Sequence, residues 1–330
     1  MRAMLALAPV AAFFVALLVA RLLLTSAGRR IALDTPNERS LHARPVPRTG
    51  GIAIAAGVAA ACFLAWPGLP VVLGASALLA VASFGDDLVG LSTLARLALH
   101  VGAAVAALAF DLEITAPLTF VVFALALAWT ANLYNFMDGA DGLAAGMTAF
   151  GFGAYALAAH LFGAATLAAL CASIATAAGA FLVFNWHPAR LFMGDAGSVP
   201  LGFLAGALGL QGWAIGAWPL WFPLLVFAPF VCDATLTLVK RLLRRERVWQ
   251  AHREHYYQRL VRMGFGHRGA AYIEYGAMAG CAALALLVFR ESAAVQGIAI
   301  ALAAVALAGV AVWVDRRWAT YLRAAGGVAP

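Results

Sequence analysis

Apolar residues run in long stretches along this chain, and polar residues are confined to the gaps between them. A stretch that crosses a bilayer needs about 17–25 residues. Candidates lie near 3–25, 50–66, 69–85, 94–110, 117–134, 143–160, 163–184, 199–212, 218–239, 270–289 and 294–313, eleven in all. The weakest boundaries fall at 160–163 and 212–218, and fusion at one of them leaves ten spans. Lipid offers no partner to open backbone, so each segment is predicted to be a helix. The predicted fold class is all-α, a polytopic transmembrane helical protein, with abundant Ala, Gly and Ser for close helix packing. The first stretch runs from behind Arg2 to Leu24, longer than the ~7–15-residue apolar core of a signal peptide, and reads as a span rather than a cleaved leader. Residues 1–330 form one integral-membrane domain, and the basic loop at 240–269 is too short to fold alone.

Composition agrees. The chain is 64% hydrophobic and 11% charged, too few charges to coat a soluble globule of 330 residues. Cys62, Cys171, Cys232 and Cys281 each sit alone in an apolar run, without metal spacing. The net charge of +7 reflects basic loops against anionic lipid, and nucleic acid is not an expected partner.

Charge also predicts orientation. The loops after spans 1, 3, 5, 7 and 9, with the C-terminal tail, hold Arg29, Arg30, Arg39, Arg44, Arg48, Arg96, Arg190, the run from Lys240 to Arg268, and Arg316, Arg317 and Arg323. The opposite side holds Arg2 and Arg290. The positive-inside rule makes the rich side cytoplasmic, with the N-terminus periplasmic and the C-terminus cytoplasmic. The expected location is the bacterial inner membrane, multi-pass, with its chemistry on the cytoplasmic face.

The acids follow the same division. DTPNERSLHARPVPRTGG (34–51), GDDLVGLSTLARL (85–97), NLYNFMDGADGLAAG (132–146), FNWHPARLFMGDAGS (184–198) and HREHYYQRL (252–260) all lie on the basic side. Asp86 and Asp87 repel each other unless a cation or proton is shared. A lone acidic pair reads as a solvated helix end; the alternatives are a divalent cation or a lipid phosphate bound through one. Asp138, Asp141 and Asp195 meet the same face, which favours the functional readings. Asn132, Asn135, Asp138 and Asp141 recur every three residues and form a slanted polar ridge if the helix persists. Calcium is disfavoured because the bidentate downstream Glu of a calcium loop is missing. Gly194 and Gly197 around Asp195 suit a tight turn with exposed N–H groups, a common phosphate contact. Asn185 and Phe192 precede it, and Phe192 reads equally well as lipid-facing bulk. His252 and His255 lack a third zinc ligand at suitable spacing; with their many arginine neighbours they look like a diphosphate clamp. Carboxylates for Mg²⁺, bases for a polyanion and entry from lipid are the parts of phosphoryl transfer.

In this order the motifs resemble the polyprenyl-phosphate N-acetylhexosamine-1-phosphate transferases of the MraY/WecA type, over roughly residues 34–268. The wording of loop 1 and of HREHYYQRL is most similar to the branch that initiates O-antigen. The resemblance implies that undecaprenyl phosphate attacks the β-phosphorus of a UDP-N-acetylhexosamine, giving undecaprenyl-diphospho-N-acetylhexosamine and UMP. It implies Mg²⁺, with Mn²⁺ as a substitute, on Asp195 and Asn135. It assigns Asp86, Asp87 and Asp138 to catalysis, the first two orienting or deprotonating the lipid phosphate. Asp141 and Phe192 would hold uracil; His252, Arg253 and His255 would contact diphosphate or sugar. Arg48, Asn132 and Asn185 complete the implied substrate-binding set. Tyr256, Tyr257 and Gln258 follow His255 where relatives carry adjacent histidines, which argues against a MurNAc-pentapeptide substrate. N-acetylglucosamine and 6-deoxy relatives such as N-acetylfucosamine or N-acetylquinovosamine stay open, as does a homodimer. A transporter would place its acids mid-span, open to both sides, whereas these stand in loops on one side. The CDP-alcohol phosphotransferases continue DG into an Ala-Arg pair, which is absent after Gly142.

Overall fold

The computed structural model describes the chain apart from residues 1, 26–30, 37–40, 43, 66–69, 249, 251, 325 and 327–330. Arg29, Arg30, Arg39 and the NERS part of loop 1 therefore lie outside the described residues. Among the described residues the eleven apolar segments are chiefly helical, the ninth as two helices, and one more short helix lies in the basic loop. In order the thirteen α-helices are α1 (Arg2–Leu23), α2 (Gly50–Ala65), α3 (Val71–Val89), α4 (Thr93–Phe110), α5 (Pro117–Phe136), α6 (Leu143–Phe162), α7 (Ala165–Asn185), α8 (Asp195–Ala214), α9 (Trp221–Val226), α10 (Ala228–Leu243), α11 (Tyr256–Leu260), α12 (Gly266–Val288) and α13 (Ala293–Ala324). A two-residue hairpin, β1 (Leu33–Asp34) with β2 (Val46–Pro47), precedes α2 and pairs Leu33 with Pro47 and Asp34 with Val46, antiparallel.

Among the described residues, eight helical stretches are long and apolar enough to cross a membrane on their own. Large apolar side chains stand outward on them, Leu94, Phe110 and Leu118 among the most exposed. The protein is a multi-pass membrane protein. α2 is shorter, at 16 residues, and α8 is enclosed by its neighbours, so neither needs a fully apolar perimeter.

Small residues set the packing. Ala8, Ala12, Ala16 and Ala20 recur every fourth residue, one stripe of α1. That stripe lies against α2 and α7. A Cβ on Gly57 would stand 2.5 Å from the Ala12 carbonyl oxygen, so the absence of a side chain permits the approach. Gly51 and Gly197 do the same for α2 and α8: a Cβ on Gly51 would lie 2.3 Å from the Gly197 nitrogen.

Three segments depart from the predicted bounds. The 218–239 stretch is two helices, α9 and α10, broken at Phe227. Pro229 stands in the first turn of α10, where its ring fits a helix start but obstructs continuation from α9. The eighth helix begins at Asp195 rather than 199. The last helix runs on to Ala324, 32 residues or about 48 Å, longer than the ~30 Å lipid core. Its overhang docks on α11: Arg259 Nη1 lies 2.9 Å from Asp315 Oδ1, Lys240 also pairs with Asp315, and the Arg262 guanidinium sits 4.7 Å over Trp318.

Gly51→Val is expected to force α2 from α8 and to lower stability by about 1–3 kcal/mol, as overpacking does. Gly153→Ala in α6 faces open space and is expected to be tolerated. Thermal unfolding in detergent compares the two; equal midpoints would contradict the close-approach argument.

Candidate active site

The ends of α3, α5 and α7 and the starts of α2, α6 and α8 meet at one end of the bundle, joined by main-chain pairing between distant segments. Phe192 N–H donates to the Pro47 carbonyl, Gly50 N–H to that of Phe192, and Gly51 N–H to that of Met193, each at 2.8 Å. Gly194 follows with φ +72°, and a Cβ there would lie 2.5 Å from the Arg48 carbonyl oxygen. Glycine at 194 thus lets the chain turn into α8 beside loop 1, which delivers Asp195 at the helix start.

A cavity of about 350 Å³ opens at this junction, and Arg48, Asn135, Asp138, Asp141, Asn185, Phe192 and Asp195 line it. Asp87 stands behind it. Arg48 Nη1 lies 3.2 Å from Asp87 Oδ1, and Nη2 donates to the Asp87 carbonyl at 2.6 Å. Asp87 Oδ2 is buried without a partner among the described residues. Asp86 turns away, accepting from Leu91 N–H and lying 3.5 Å from Arg96 Nη1. Asp138 feels burial first, then the charges of Asp195 and Asp87, and these hold its carboxyl well above the ordinary carboxylate range. The Asn135 carbonyl accepts from the Ser198 hydroxyl at 2.8 Å, which orients the amide toward Asp195.

The expected ridge of four polar residues is interrupted, because α5 ends at Phe136. Asn135 stays on the helix and faces the cavity, whereas Asp138 and Asp141 lie on the following turn. Asn132 is turned to α4, its amide 3.0 Å from His100 Nδ1 and donating to Ala128 O at 2.8 Å.

Asp141 is held by two histidines. His187 Nδ1–H donates to its Oδ2 at 2.6 Å, and Ala189 N–H donates there at 3.0 Å. Asp141 N–H donates to His267 Nδ1 at 3.1 Å, while His267 Nε2–H donates to the Leu41 carbonyl at 3.1 Å. The two rings stack at 5.0 Å and 7°. Asp141, His187 and His267 bring ligand atoms within 4.8 Å of one another, a spacing a metal could use. The Nδ1 lone pair of His267 is engaged by Asp141 N–H, however, so the trio acts as a hydrogen-bonded clamp. Asn185 joins the same two loops: its carbonyl accepts from Gly142 N–H and its amide donates to Leu191 O, both at 2.9 Å. The Phe192 ring meets His42 edge-on at 4.9 Å.

The histidine motif approaches from the α10–α11 side. His255 is 3% exposed, its Nδ1–H donating to Asp233 at 3.0 Å. His252 is half-buried, and its Nδ1 accepts from Glu254 N–H at 3.3 Å, which leaves Nε2–H as the outward donor. Burial, then the neighbouring His255 and Arg241, pushes the His252 pKa down to about 4, so the ring is neutral at neutral pH. Arg253 is half-exposed, whereas the other arginine of the motif, Arg259, is buried against Asp315. Within the motif Gln258 lines the cavity.

His187, His267, Asp34 and Asp233 were not singled out from the sequence, and Gln258 was noted only as a departure from the adjacent histidines of relatives. His187 and His267 are lone histidines at the ends of predicted spans, on the same predicted side as Asp141, so the topology could have paired them.

A buried acidic site at one end of an apolar helix bundle, with a positively charged loop beside it, is an arrangement that phosphoryl transfer at a membrane can use. Residues 69–212 match the family described as glycosyl transferase family 4. The chain is 31% identical to a decaprenyl-phosphate N-acetylglucosaminephosphotransferase of Mycobacterium tuberculosis, over 86% of this chain and 82% of the relative. It is 28% identical to a probable undecaprenyl-phosphate N-acetylglucosaminyl 1-phosphate transferase of Bacillus subtilis, over 81% of each chain. It is also 28% identical to an undecaprenyl-phosphate alpha-N-acetylglucosaminyl 1-phosphate transferase of Yersinia pestis, over 72% of each. The chain belongs to glycosyl transferase family 4, in its polyprenyl-phosphate N-acetylhexosamine-1-phosphate transferase group.

Asn185→Ala is expected to leave the Gly142 N–H and Leu191 C=O unpaired in a buried junction, at about 1–3 kcal/mol. Thermal unfolding in detergent reads this directly, and an unchanged midpoint would refute the bridging role.

Proposed function

We propose that this protein transfers an N-acetylhexosamine 1-phosphate from a UDP-N-acetylhexosamine to undecaprenyl phosphate, releasing UMP, on the cytoplasmic face of the inner membrane. The product opens the synthesis of O-antigen or a related surface polysaccharide. The observation that carries this reading is the gathering of Asp87, Asp138 and Asp195 with Arg48 and Phe192 around one cavity at the membrane edge. Its volume, about 350 Å³, falls in the range of small-ligand sites.

The residues fit a hard divalent cation. Asp195 would supply oxygen donors, Asn135 Oδ1 keeps a second lone pair beside its bond from Ser198, and Asp87 Oδ2 is a buried carboxylate oxygen without a donor among the described residues. Three acids this close repel one another, a cost that a cation removes. Asp195 and Asn135 would hold Mg²⁺, or Mn²⁺ in its place, and the ion would supply charge neutralisation for the donor diphosphate and the leaving UMP. Arg48 and Arg96 offer guanidinium groups to the acceptor phosphate at the edge where that lipid arrives. Asp87, with Asp86 beside it, takes the acceptor's proton or orients its attacking oxygen. Asp138 feels the charges of both Asp195 and Asp87, so a cation that neutralised them would let it ionise and join the acidic set. Asp141, fixed by its histidines, offers Oδ1 to an N–H of uracil, and Phe192 supplies a ring for stacking. Asn185 holds the loops that frame the base. His252 donates through Nε2–H to diphosphate or sugar, and Arg253 pairs with the diphosphate. His255 supports both from behind, and Asn132 supports the site through α4. In-line displacement needs no covalent aspartyl intermediate.

Asp195→Asn is expected to leave the protein folded and to abolish Mg²⁺-dependent transfer; near wild-type turnover would defeat the metal assignment. UMP release by purified protein is expected only when undecaprenyl phosphate and the right UDP-sugar are both present. UDP-N-acetylglucosamine stands first in the panel because the relatives are named for that sugar. Failure of every UDP-sugar together with ion flux in vesicles would favour a transporter instead.

A further inference from the structure

Asp233 lies within α10 and is 5% exposed, and it does not line the cavity. A carboxylate enclosed in this way needs donors. Four reach it: His255 Nδ1–H at 3.0 Å, Tyr256 N–H at 2.9 Å, Tyr257 N–H at 3.0 Å and the Thr237 hydroxyl at 3.2 Å. Three of these belong to the segment that opens α11, so one anion on a rigid helix closes the α10–α11 loop from inside.

The contacts continue in two directions. His255 lies against His252 at 4.8 Å on one side and stacks on Phe136 at 6.2 Å on the other. The Tyr257 hydroxyl donates to the Phe136 carbonyl at 3.1 Å, and a Cβ on Gly139 would stand 2.1 Å from that hydroxyl. Gly139 follows Asp138 directly, so the turn that carries the acids rests on Tyr257. Gln258, a cavity residue, accepts from His255 N–H at 3.2 Å.

We propose that Asp233 is a positioning residue of the transfer site: by holding His255 and the start of α11, it sets the His252–Arg253 loop against the Asp138–Asp141 turn. This rests on the transfer reaction proposed above. Asp233 touches no substrate. It acts because misplacement of site groups by about 1 Å costs on the order of 10²-fold in rate.

The test uses the full chain in detergent, with Asp233→Ala, Asp233→Asn, His255→Ala and the Asp233→Ala/His255→Ala double variant. Asp233→Ala is expected to lower kcat/KM for the UDP-sugar by about 10–100-fold. Asp233→Asn keeps one acceptor oxygen and is expected to lose less. The double variant is expected to be no worse than Asp233→Ala alone, because the two groups act through one contact. Multiplicative losses, or wild-type kcat/KM in Asp233→Asn, would overturn the proposal. Amide hydrogen exchange gives a readout independent of turnover: the single acceptor oxygen left in Asp233→Asn cannot serve both main-chain donors, so the Tyr256 or the Tyr257 amide is expected to exchange faster while α6 and α7 keep their protection. Unchanged protection at both amides would also overturn it. A wild-type protein that transferred no sugar but passed the exchange test would refute the reaction and leave the anchoring intact.

Discussion

Several carboxylates must share one end of an apolar helix bundle, and that end cannot dissolve them as water does. The rest of the molecule is arranged around this constraint. Asp141, Asp233 and Asp86 are given fixed donors, whereas Asp138 and Asp195 line the cavity and Asp87 stands behind it against Arg48. Asp141 has His187 and a main-chain N–H, Asp233 has four donors, and Asp86 has Leu91 N–H with Arg96 nearby. Asp87, Asp138 and Asp195 instead crowd one another, with Arg48 as the cation shared by Asp87 and Asp195. The satisfied acids hold loops in place, and the unsatisfied ones are free to act on a ligand.

Close packing makes the crowding possible. Small residues bring α2 and α8 together at Gly51 and Gly197, and Gly194 turns the chain beside Arg48. Side chains at these points would carry Asp195 away from Asp87. The site depends on contacts between segments far apart in the chain, so its geometry is a tertiary property even though its residues come in short motifs.

The fold was largely legible in the sequence because lipid leaves backbone few choices. Hydrophobic length alone marked eleven helical segments, and the loops expected to share a side do converge. What hydropathy could not supply was interruption and overhang. Pro229 breaks the ninth segment without lowering its apolar character, and the last helix continues past lipid because Asp315 and Trp318 find partners on α11 and its surroundings. The candidate site was legible as motifs but not as connections. Arg48, Asn135, Asp138, Asp141, Asn185, Phe192 and Asp195 do line one cavity. Their supports were hidden, because a lone His187 or His267 carries no local pattern that names its partner. Asp233 lay inside an apparently plain apolar run, and its donors come from the segment beyond the basic loop. Asn185, read as a substrate ligand, has both ends of its amide engaged by main chain, so its place is beneath the site.

The acids around this cavity are proposed to hold a divalent cation against a nucleotide diphosphate. Crystals grown with Mn²⁺ and UDP test this through anomalous scattering. One Mn²⁺ peak is expected against the Asp195 carboxylate, next to the UDP phosphates, and it is expected to vanish in Asp195→Asn. A peak confined to Asp141, His187 and His267, or UDP bound elsewhere with no metal beside Asp195, would contradict it.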